Sequence, residues 1–540
     1  MQFGLSSPLN ALDAIITLEK TLRKSYVRSM RGPWRELFMS KVEAAVRWDR
    51  WDFLALVVGV FNVIWVFAIK LRTFYNLGYS SDLFMSVQLA RSWLEGRGFL
   101  NDNCFGKTLA THTYFLLVPL GLIAKPFGAP SLLLALAVSV GVAYFWGVRI
   151  LRLLGVAGPV AVIAAGALLA LPISVAFYEE RFFGFHVELL TPALCLLLFY
   201  FLLQRRMIPS IAMALAVISV KEDAPIAAAM VAIVAGVETW ISSADKHSRL
   251  NLPALIVVLL SVFAVPVLMA ISWLQPQTEY ARPSPDPRAV FLVFAANVSQ
   301  WPGSTIVRLW LWVVIVGSFG MILLRPYYLI PGVLTTLVAW LRDDLVPRSL
   351  GVPTTTLAWL RNDLLWAPRF YPTETLLWCV TLVGFASVVR TMRSGGRTAG
   401  ATALTVTTGV ATISLFAQLA LVPKTRYLVR SDSGYSRLER RQADSLFERY
   451  RREGKPEEPV VASPMLFRYA HDRNLFWLNR MYGRPAPIWV LSDGSSNYGY
   501  DDIHVENDML VDRNGRCMLR LEDYTLIDRR GRFMLFRKKD

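Results

Sequence analysis

The sequence predicts a mainly α-helical protein: a polytopic transmembrane bundle of about eleven spans, followed by a small C-terminal α/β domain. Hydrophobic residues make up 54% of the 540 residues and charged residues 18%, whereas soluble domains have roughly 45–50% and 25%. Apolar runs of roughly 18–22 residues, long enough to cross a bilayer, recur along most of the chain. The last part of the chain is instead charged and contains short β-type runs.

The charge balance argues against several classes of function. The chain has 57 Lys+Arg and 40 Asp+Glu, a net charge of +17. In a membrane protein, such an excess of positive charge is first of all a guide to the orientation of the spans, because cytoplasmic loops are rich in Lys and Arg. We find no aromatic and basic RNA-binding motif, no Gly-rich phosphate loop and no HExxH or CxxC motif. These observations argue against nucleic-acid binding, a cytosolic nucleotide donor and a dedicated zinc site.

The beginning of the chain indicates a cytoplasmic N-terminus. Residues 1–52 are basic and partly amphipathic, without the apolar core of a signal peptide. They suit either the cytoplasmic membrane surface or a solvated helix. The first span is expected at 53–71, and the basic residues before it place its start in the cytoplasm.

The direction of every later span depends on the segment 111–128. It is apolar but short, and it has a central proline, which favours an interfacial or re-entrant piece over a span. If it does not cross, the basic clusters all fall in the cytoplasm. The later spans are then expected at 130–150, 156–177, 187–203, 209–220, 224–240, 252–274, 306–324, 327–341, 373–389 and 401–422. The outer-face loops of this membrane domain, 53–422, are 73–129, 178–186, 275–305 and 342–372.

Residues 423–540 are predicted to form a soluble α/β domain on the outer face. A charged amphipathic stretch predicts a helix, and the runs "PVVAS", "IWVLSD" and "MLRLEDYTLIDRRGRFMLFRK" predict strands. The last run contains Asp-Arg-Arg-Gly, which indicates a hairpin. Cys104 in the first outer loop and Cys517 in this domain fall on the same side, and the sequence leaves open whether they pair.

With this topology, polar residues near apolar runs collect on the outer face. Ionisable residues at membrane depth are energetically costly and usually mark function. Each also has a structural alternative: Asp82 suits the N-cap of a helix, and Lys221-Glu222-Asp223 suits the tip of a helical hairpin. The full set is Asp82, His112, Glu179, Glu180, Arg181, His186, Glu188, Lys221, Glu222, Asp223, Arg369, Tyr371 and Glu374.

These residue types suit group transfer from a phosphate. A carboxylate can take a proton from an acceptor hydroxyl. Lysine, arginine and histidine can neutralise a departing phosphate. A site that opens outward and sideways into the bilayer suits a donor that is itself a lipid phosphate.

The overall pattern resembles the GT-C superfamily of membrane glycosyltransferases. The shared features are a cytoplasmic N-terminus, an acidic residue in the first outer loop, interfacial helices after the first span and a soluble outer domain. The stretches "SSDLFMSVQLARSWLEGRGF", "THTYFLLVPLGLIAKPFG", "GFHVELLTPALCLLLFYFLL" and "AVISVKEDAPIAAA" resemble, more closely, an uncharacterised family of bacterial polytopic membrane proteins. They lie within residues 78–237, and the "FH-x-E" and "KED" pieces are the most specific.

The resemblance implies an enzyme of the bacterial cytoplasmic membrane that transfers a sugar, with inversion, from a polyprenyl-phosphate donor to an extracytoplasmic glycan, lipid or protein. Its partners would be this donor, membrane lipids and other proteins of envelope biosynthesis. Asp82 would be the catalytic base, and Lys221, with Arg181 or Arg369, would hold the donor phosphate. The pocket would be lined by His112, Glu179, Glu180, His186, Glu188, Glu222, Asp223, Tyr371 and Glu374.

One departure from the superfamily pattern concerns a metal. Several branches carry two adjacent acidic residues in the first outer loop, whereas here Ser80 and Ser81 precede a single Asp82. We therefore assign no metal site and no cofactor, and a divalent cation stays an open alternative.

Two other functions are compatible with the sequence. A transporter or flippase for a lipid-linked or anionic solute can also carry embedded charges and a short, Pro-flanked helix pair. A non-catalytic membrane scaffold, with the C-terminal domain as a binding module, is the third alternative.

Overall fold

The computed structural model describes residues 48–79, 81–103, 112–171, 184–242, 249–274, 371–394, 435–476, 486–494 and 518–539, with short pieces between them. The predicted spans at 306–324, 327–341 and 401–422 lie almost entirely outside the described residues, as do residues 1–47. The same holds for Glu179, Glu180, Arg181, Arg369, Cys104 and Cys517.

The described residues are mostly helical, as predicted, and five helices are long and apolar enough to cross a membrane. The helices are α1 (Arg50–Tyr75), α2 (Ser81–Arg91), α3 (Leu117–Phe127), α4 (Ala129–Leu153), α5 (Gly158–Leu169), α6 (Thr191–Leu203), α7 (Met207–Ile218), α8 (Ala224–Ser242), α9 (Leu252–Trp273), α10 (Tyr371–Ser394) and α11 (Arg437–Glu453). The five long apolar ones are α1, α4, α8, α9 and α10, whereas α5, α6 and α7 are apolar but shorter. The total of eleven spans stays a prediction.

Helices α1 and α4 are antiparallel neighbours that approach closely at two glycines. A Cβ atom on Gly141 would lie 2.8 Å from the carbonyl oxygen of Gly59, so any larger residue would push the helices apart. At one end of this pair, the buried carboxylate of Asp52 contacts the guanidinium groups of Arg149 and Arg152, each at 2.5 Å. We call this the arginine end of the bundle.

Contacts between helix termini give the direction of the other helices. Arg149 also donates to the Tyr200 hydroxyl at 3.0 Å, which places the C-terminal part of α6 at the arginine end. Asn251, just before α9, donates to the carbonyl oxygen of Leu202 at 2.9 Å, which places the start of α9 there too. The segment before α6 and the loop between α7 and α8 therefore lie at the opposite end.

Helix α3 does not cross the bundle. Its first residues lie at the end opposite the arginine end, where the Leu116 amide donates to the carbonyl oxygen of Ser219 at 2.8 Å. At its other terminus Gly128 contacts His471, whose ring packs against Phe74 near the end of α1. Both termini of α3 are thus far from the start of α1, and this geometry agrees with an interfacial or re-entrant segment.

The C-terminal region, residues 435–539, contains the helix and strands that the sequence predicts. Its main sheet consists of β3 (Val460–Ala462), β4 (Leu475–Phe476), β5 (Trp489–Ser492), β9 (Tyr524–Arg530) and β10 (Phe533–Lys538). Their order is β4-β3-β5-β10-β9, in which β3 is parallel to β4 and β5 and the other pairs are antiparallel. The predicted hairpin joins β9 and β10, with Arg530 opposite Phe533. Outside this sheet, the described strands are β1 (Asn101–Asp102) and β2 (Gly106–Lys107), which pair near the end of α2, and β6 (His504–Glu506), β7 (Met509–Val511) and β8 (Met518–Arg520), which form a three-stranded sheet.

Helix α11 packs on this sheet through one face. Ser436 and Glu439 form a capping box at its start, in which each side chain binds the backbone amide of the other residue. Its buried residues, spaced three or four apart, form a stripe that faces the sheet: Ala443, Leu446, Phe447 and Tyr450.

Candidate functional site

Three separate segments meet at the end of the bundle opposite the arginine end. Asp82 lies in the first turn of α2. His186 and Glu188 lie just before α6, where residues 187–190 form a short 3-10 turn. Lys221 lies in the loop that joins α7 to α8. We call the end that holds these four residues the polar end.

Asp82, His186 and Glu188 form a continuous chain of polar contacts. The His186 Nε2 atom lies 3.3 Å from Asp82 Oδ2, and its Nδ1 atom lies 3.9 Å from Glu188 Oε2. The exposed fraction of the side chain falls along this chain, from 28% for Asp82 to 19% for His186 and 2% for Glu188. Asp82 is therefore at the rim of the cluster and Glu188 at its floor.

Glu188 is the point at which two further side chains join. The Lys221 ammonium lies 2.6 Å from Glu188 Oε1, and the Tyr114 hydroxyl donates to the same oxygen at 3.1 Å. Lys221 also lies over the Tyr114 ring, 6.0 Å from its centre. A buried carboxylate is stable only when a charge and hydrogen bonds compensate it, and here Lys221 and Tyr114 do so. Its second oxygen, Oε2, has no hydrogen-bond partner among the described residues.

The charged triplet Lys221-Glu222-Asp223 binds three different elements. Lys221 reaches Glu188, as described. Glu222 lies 3.0 Å from His112 Nδ1 and accepts from the Thr113 amide at 3.2 Å. Asp223 accepts from the Tyr371 hydroxyl at the start of α10. The triplet therefore does more than close a turn, because it joins the segments before α3 and α6 to the first residue of α10.

Sequence reasoning missed two side chains here. Tyr114 was not among the predicted residues, although it follows His112 by two positions. Lys70, near the C-terminal end of α1, is only 2% exposed; its ammonium lies 3.4 Å from the Gly184 carbonyl oxygen and 5.8 Å from the Tyr79 ring centre. A lysine at the end of an apolar run was a usable signal, since ionisable residues at membrane depth are rarely incidental.

Not every predicted residue joins this cluster. Glu374 accepts from the Ser174 hydroxyl at 3.0 Å, and the Trp378 indole donates to the same hydroxyl oxygen at 2.9 Å. Glu374 is thus buried in a separate hydrogen-bonded group, although Tyr371, one turn earlier on α10, reaches Asp223. The apolar residues around Glu374 pack against other helices, so the Glu374 carboxylate is buried and accepts from a hydroxyl inside the bundle.

The described part of the site is acid-rich. It holds four carboxylates, the ammonium group of Lys221 and the imidazoles of His112 and His186, and the Lys70 ammonium lies beside Gly184. Such a set can accept a proton at the partly exposed Asp82 and can bind hydroxyl groups, whereas an anion needs more positive charge. Among the described residues, no three His, Cys, Asp or Glu side chains are arranged to hold a metal ion.

Neither protein-family models nor curated proteins match this chain. The function is therefore inferred from the site and from the sequence pattern.

Proposed function

We propose that this protein is a membrane glycosyltransferase of the GT-C type, which moves a sugar from a polyprenyl-phosphate donor to an acceptor hydroxyl outside the cytoplasm. The observation that carries the proposal is the partly exposed Asp82 carboxylate at the polar end of the bundle, where its Oδ2 atom lies 3.3 Å from His186 Nε2. A base that must meet a substrate needs an exposed edge, and Asp82 has one beside the His186 ring.

In the proposed reaction, Asp82 takes the proton from the acceptor hydroxyl. The hydroxyl oxygen then forms a bond to the anomeric carbon on the face opposite the phosphate. The bond between that carbon and the phosphate oxygen breaks, and its electron pair leaves with the polyprenyl phosphate. His186, whose Nε2 atom lies 3.3 Å from Asp82 Oδ2, faces this carboxylate. The product has the inverted configuration.

The donor phosphate needs cations beyond the described cluster. Lys221 carries an ammonium group of this cluster, and it already contacts Glu188 at 2.6 Å. We propose that Lys221 binds the phosphate together with Arg181 or Arg369, because the four carboxylates outnumber the ammonium groups of Lys221 and Lys70. Arg181→Gln or Arg369→Gln should then raise the KM for the donor more than it lowers kcat.

The surroundings of the site suit a donor that comes from the bilayer. Helix α3 stays at the polar end and exposes apolar side chains, with Leu122 at 61% and Phe127 at 67%. Such residues are stable when they face lipid. In line with the positive-inside rule, we propose that the arginine end faces the cytoplasm and that the polar end faces the outside of the bacterial cytoplasmic membrane.

The test uses the full-length protein in lipid nanodiscs with a panel of polyprenyl-phosphate hexoses and pentoses, and measures release of free polyprenyl phosphate. Asp82→Asn should lower kcat about 10²- to 10⁴-fold, the usual contribution of a general base. Asp528→Asn is a matched control, because its side chain has the same exposed fraction, 28%, but lies on β9. Full activity of Asp82→Asn would disprove the assignment of the base.

A transporter is the second candidate, favoured by buried carboxylates away from the site. Glu374 is bound to Ser174, and Glu238 accepts from the Tyr328 hydroxyl at 2.7 Å within the bundle. Buried acids in spanning helices often carry protons in transporters. Uptake of the same donors into sealed vesicles, without release of polyprenyl phosphate and with loss in Glu238→Gln, would support this candidate over the enzyme.

A further inference from the structure

The helix that carries Asp82 is also the helix on which the C-terminal region docks. Helix α2 has 11 residues, and Asp82 lies in its first turn. Phe84, Gln88 and Arg91 follow at spacings of four and three, so they lie along one face. All three contact residues between 467 and 475.

Gln88 makes the central hydrogen bonds of this contact. It is 3% exposed, and its Nε2 group donates to the carbonyl oxygen of Leu475 at 2.9 Å. Its Oε1 atom accepts from the amide of Asn103 at 3.0 Å, and the Asn103 side chain donates to Asn474 Oδ1 at 2.8 Å. Both ends of the buried amide are thus satisfied, which makes the contact specific for one register of α2 against β4.

Aromatic packing and a guanidinium extend the contact on both sides of Gln88. The Phe84 ring meets the Phe467 ring edge-on, with centres 5.8 Å apart, and Phe74 meets His471 in the same way at 5.7 Å. Arg91 reaches the backbone carbonyl oxygen of His471 at 3.4 Å. The docking surface therefore covers α2 from Phe84 to its last residue, Arg91.

We propose that the C-terminal region positions Asp82, with Gln88 as the main positioning residue. An isolated helix as short as α2 is marginally stable in water, so packing decides its place. Helix α3 packs on α2, with no room for a Cβ atom between Gly121 and the Ala90 carbonyl, and the C-terminal region binds the Phe84-Gln88-Arg91 face. Loss of the contact with the C-terminal region frees the first turn of α2, and Asp82 then moves away from His186. The catalytic consequence rests on the proposed function, whereas the coupling itself does not.

The test is hydrogen–deuterium exchange of the full-length protein in nanodiscs, read by mass spectrometry on peptides covering 81–87. Gln88→Leu keeps the size of the side chain but removes one donor to the Leu475 carbonyl oxygen, which keeps its bond from Asn103 Nδ2 at 3.2 Å, and removes the acceptor of the Asn103 backbone amide. Exchange at 81–87 should rise about 10-fold, as expected when one buried hydrogen bond is lost. Ser86→Ala, on the same helix, is the matched control and should leave exchange unchanged.

The outcomes separate the inference from the proposed function. If exchange rises at 471–476 but not at 81–87, the C-terminal region has come loose without moving α2, and the inference is wrong. If both rise while the wild type transfers no sugar, the coupling stands and the proposed function fails. In an active enzyme, Gln88→Leu should lower kcat about 10- to 100-fold with little change in KM, since small displacements of a base have effects of this size. Arg91→Gln is the milder variant if Gln88→Leu does not fold.

Discussion

The two ends of the bundle use charged residues in opposite ways. At the arginine end, Asp52 is fully buried and lies 2.5 Å from both Arg149 and Arg152, while Asp49 lies 2.6 Å from Arg152. At the polar end, contacts along the chain from Asp82 are longer, at 3.3 and 3.9 Å, and the exposed fraction falls stepwise toward Glu188.

This difference separates a structural network from a reactive one. The arginine end joins the start of α1 to the end of α4, and its buried carboxylate has short contacts to two guanidinium groups. A carboxylate held in this way has little freedom to bind anything else. Asp82 keeps an exposed edge, which a general base requires. The comparison predicts that substitutions at the two ends change different quantities.

The largest expected effect is on stability at the arginine end. Asp52→Asn leaves two arginines without their buried carboxylate, and the free energy of unfolding should fall by about 3–5 kcal/mol. Asp82→Asn should change it by less than about 0.5 kcal/mol, because its side chain is partly exposed. Denaturant titration of both variants in the same detergent measures this. Equal losses would mean that Asp82 belongs to a structural network.

The next effect concerns the link between Glu188 and Lys221. Glu188→Gln and Lys221→Met should each destabilise the protein, since each leaves the partner charge poorly compensated. The double variant should be less destabilised than the sum of the two, by about 1–3 kcal/mol, because the pair is in direct contact. A double-mutant cycle on unfolding free energies measures this coupling. Additive effects would show that the ion pair is not coupled in the folded protein.

The docking of the C-terminal region should weaken in acid. Burial lowers the pKa of His471 to about 4, from an ordinary value of 6.5. The charged groups that face it are Asp472, which raises its pKa, and Arg451, Arg91 and Arg468, which lower it. An undocked imidazole therefore binds a proton between these two pH values and a docked one does not. The stabilisation is complete above pH 6.5 and is lost as the pH falls through 4, with a slope of at most about 1.4 kcal/mol per pH unit.

Hydrogen exchange at 464–476, followed from pH 7 to pH 4 and corrected for the intrinsic rate, measures this dependence. His471→Phe keeps an aromatic ring at the interface but removes the titrating group, so its protection should not change over this range. If the slope persists in His471→Phe, another group is responsible.

The smallest effect separates backbone strain from contact at Gly128. Its φ is +61°, and a Cβ atom there would lie 2.5 Å from His471 Cε1. Gly155 has a φ of +89° with nothing within 4 Å of such an atom, so Gly155→Ala is a control for a positive φ without a contact. Gly128→Ala should cost about 1 kcal/mol more than this control, because only Gly128 meets the docked histidine. Equal costs, measured by thermal unfolding, would mean that His471 moves aside freely.

Much of the site could be anticipated because its residues stand out against apolar surroundings. Asp82, His186, Glu188 and the triplet at Lys221 are charged or polar groups next to long apolar runs, and the structure brings them together. Glu374 shows the limit of this reasoning, because a charged residue in an apolar run can also bind a buried hydroxyl such as that of Ser174. Tyr114 was not predicted, because a tyrosine among apolar residues resembles an ordinary packing residue.

The sequence by itself determined the local structure of this protein: apolar runs predict the helices, and Asp-Arg-Arg-Gly predicts the β9–β10 hairpin. Only the tertiary structure decided which charge meets which partner. Glu222 binds His112, 110 positions earlier, and Gln88 binds the backbone of Leu475, 387 positions later. The reason is physical: periodicity and turn preference act between neighbours along the chain. The partner of a buried charge depends on how distant helices pack.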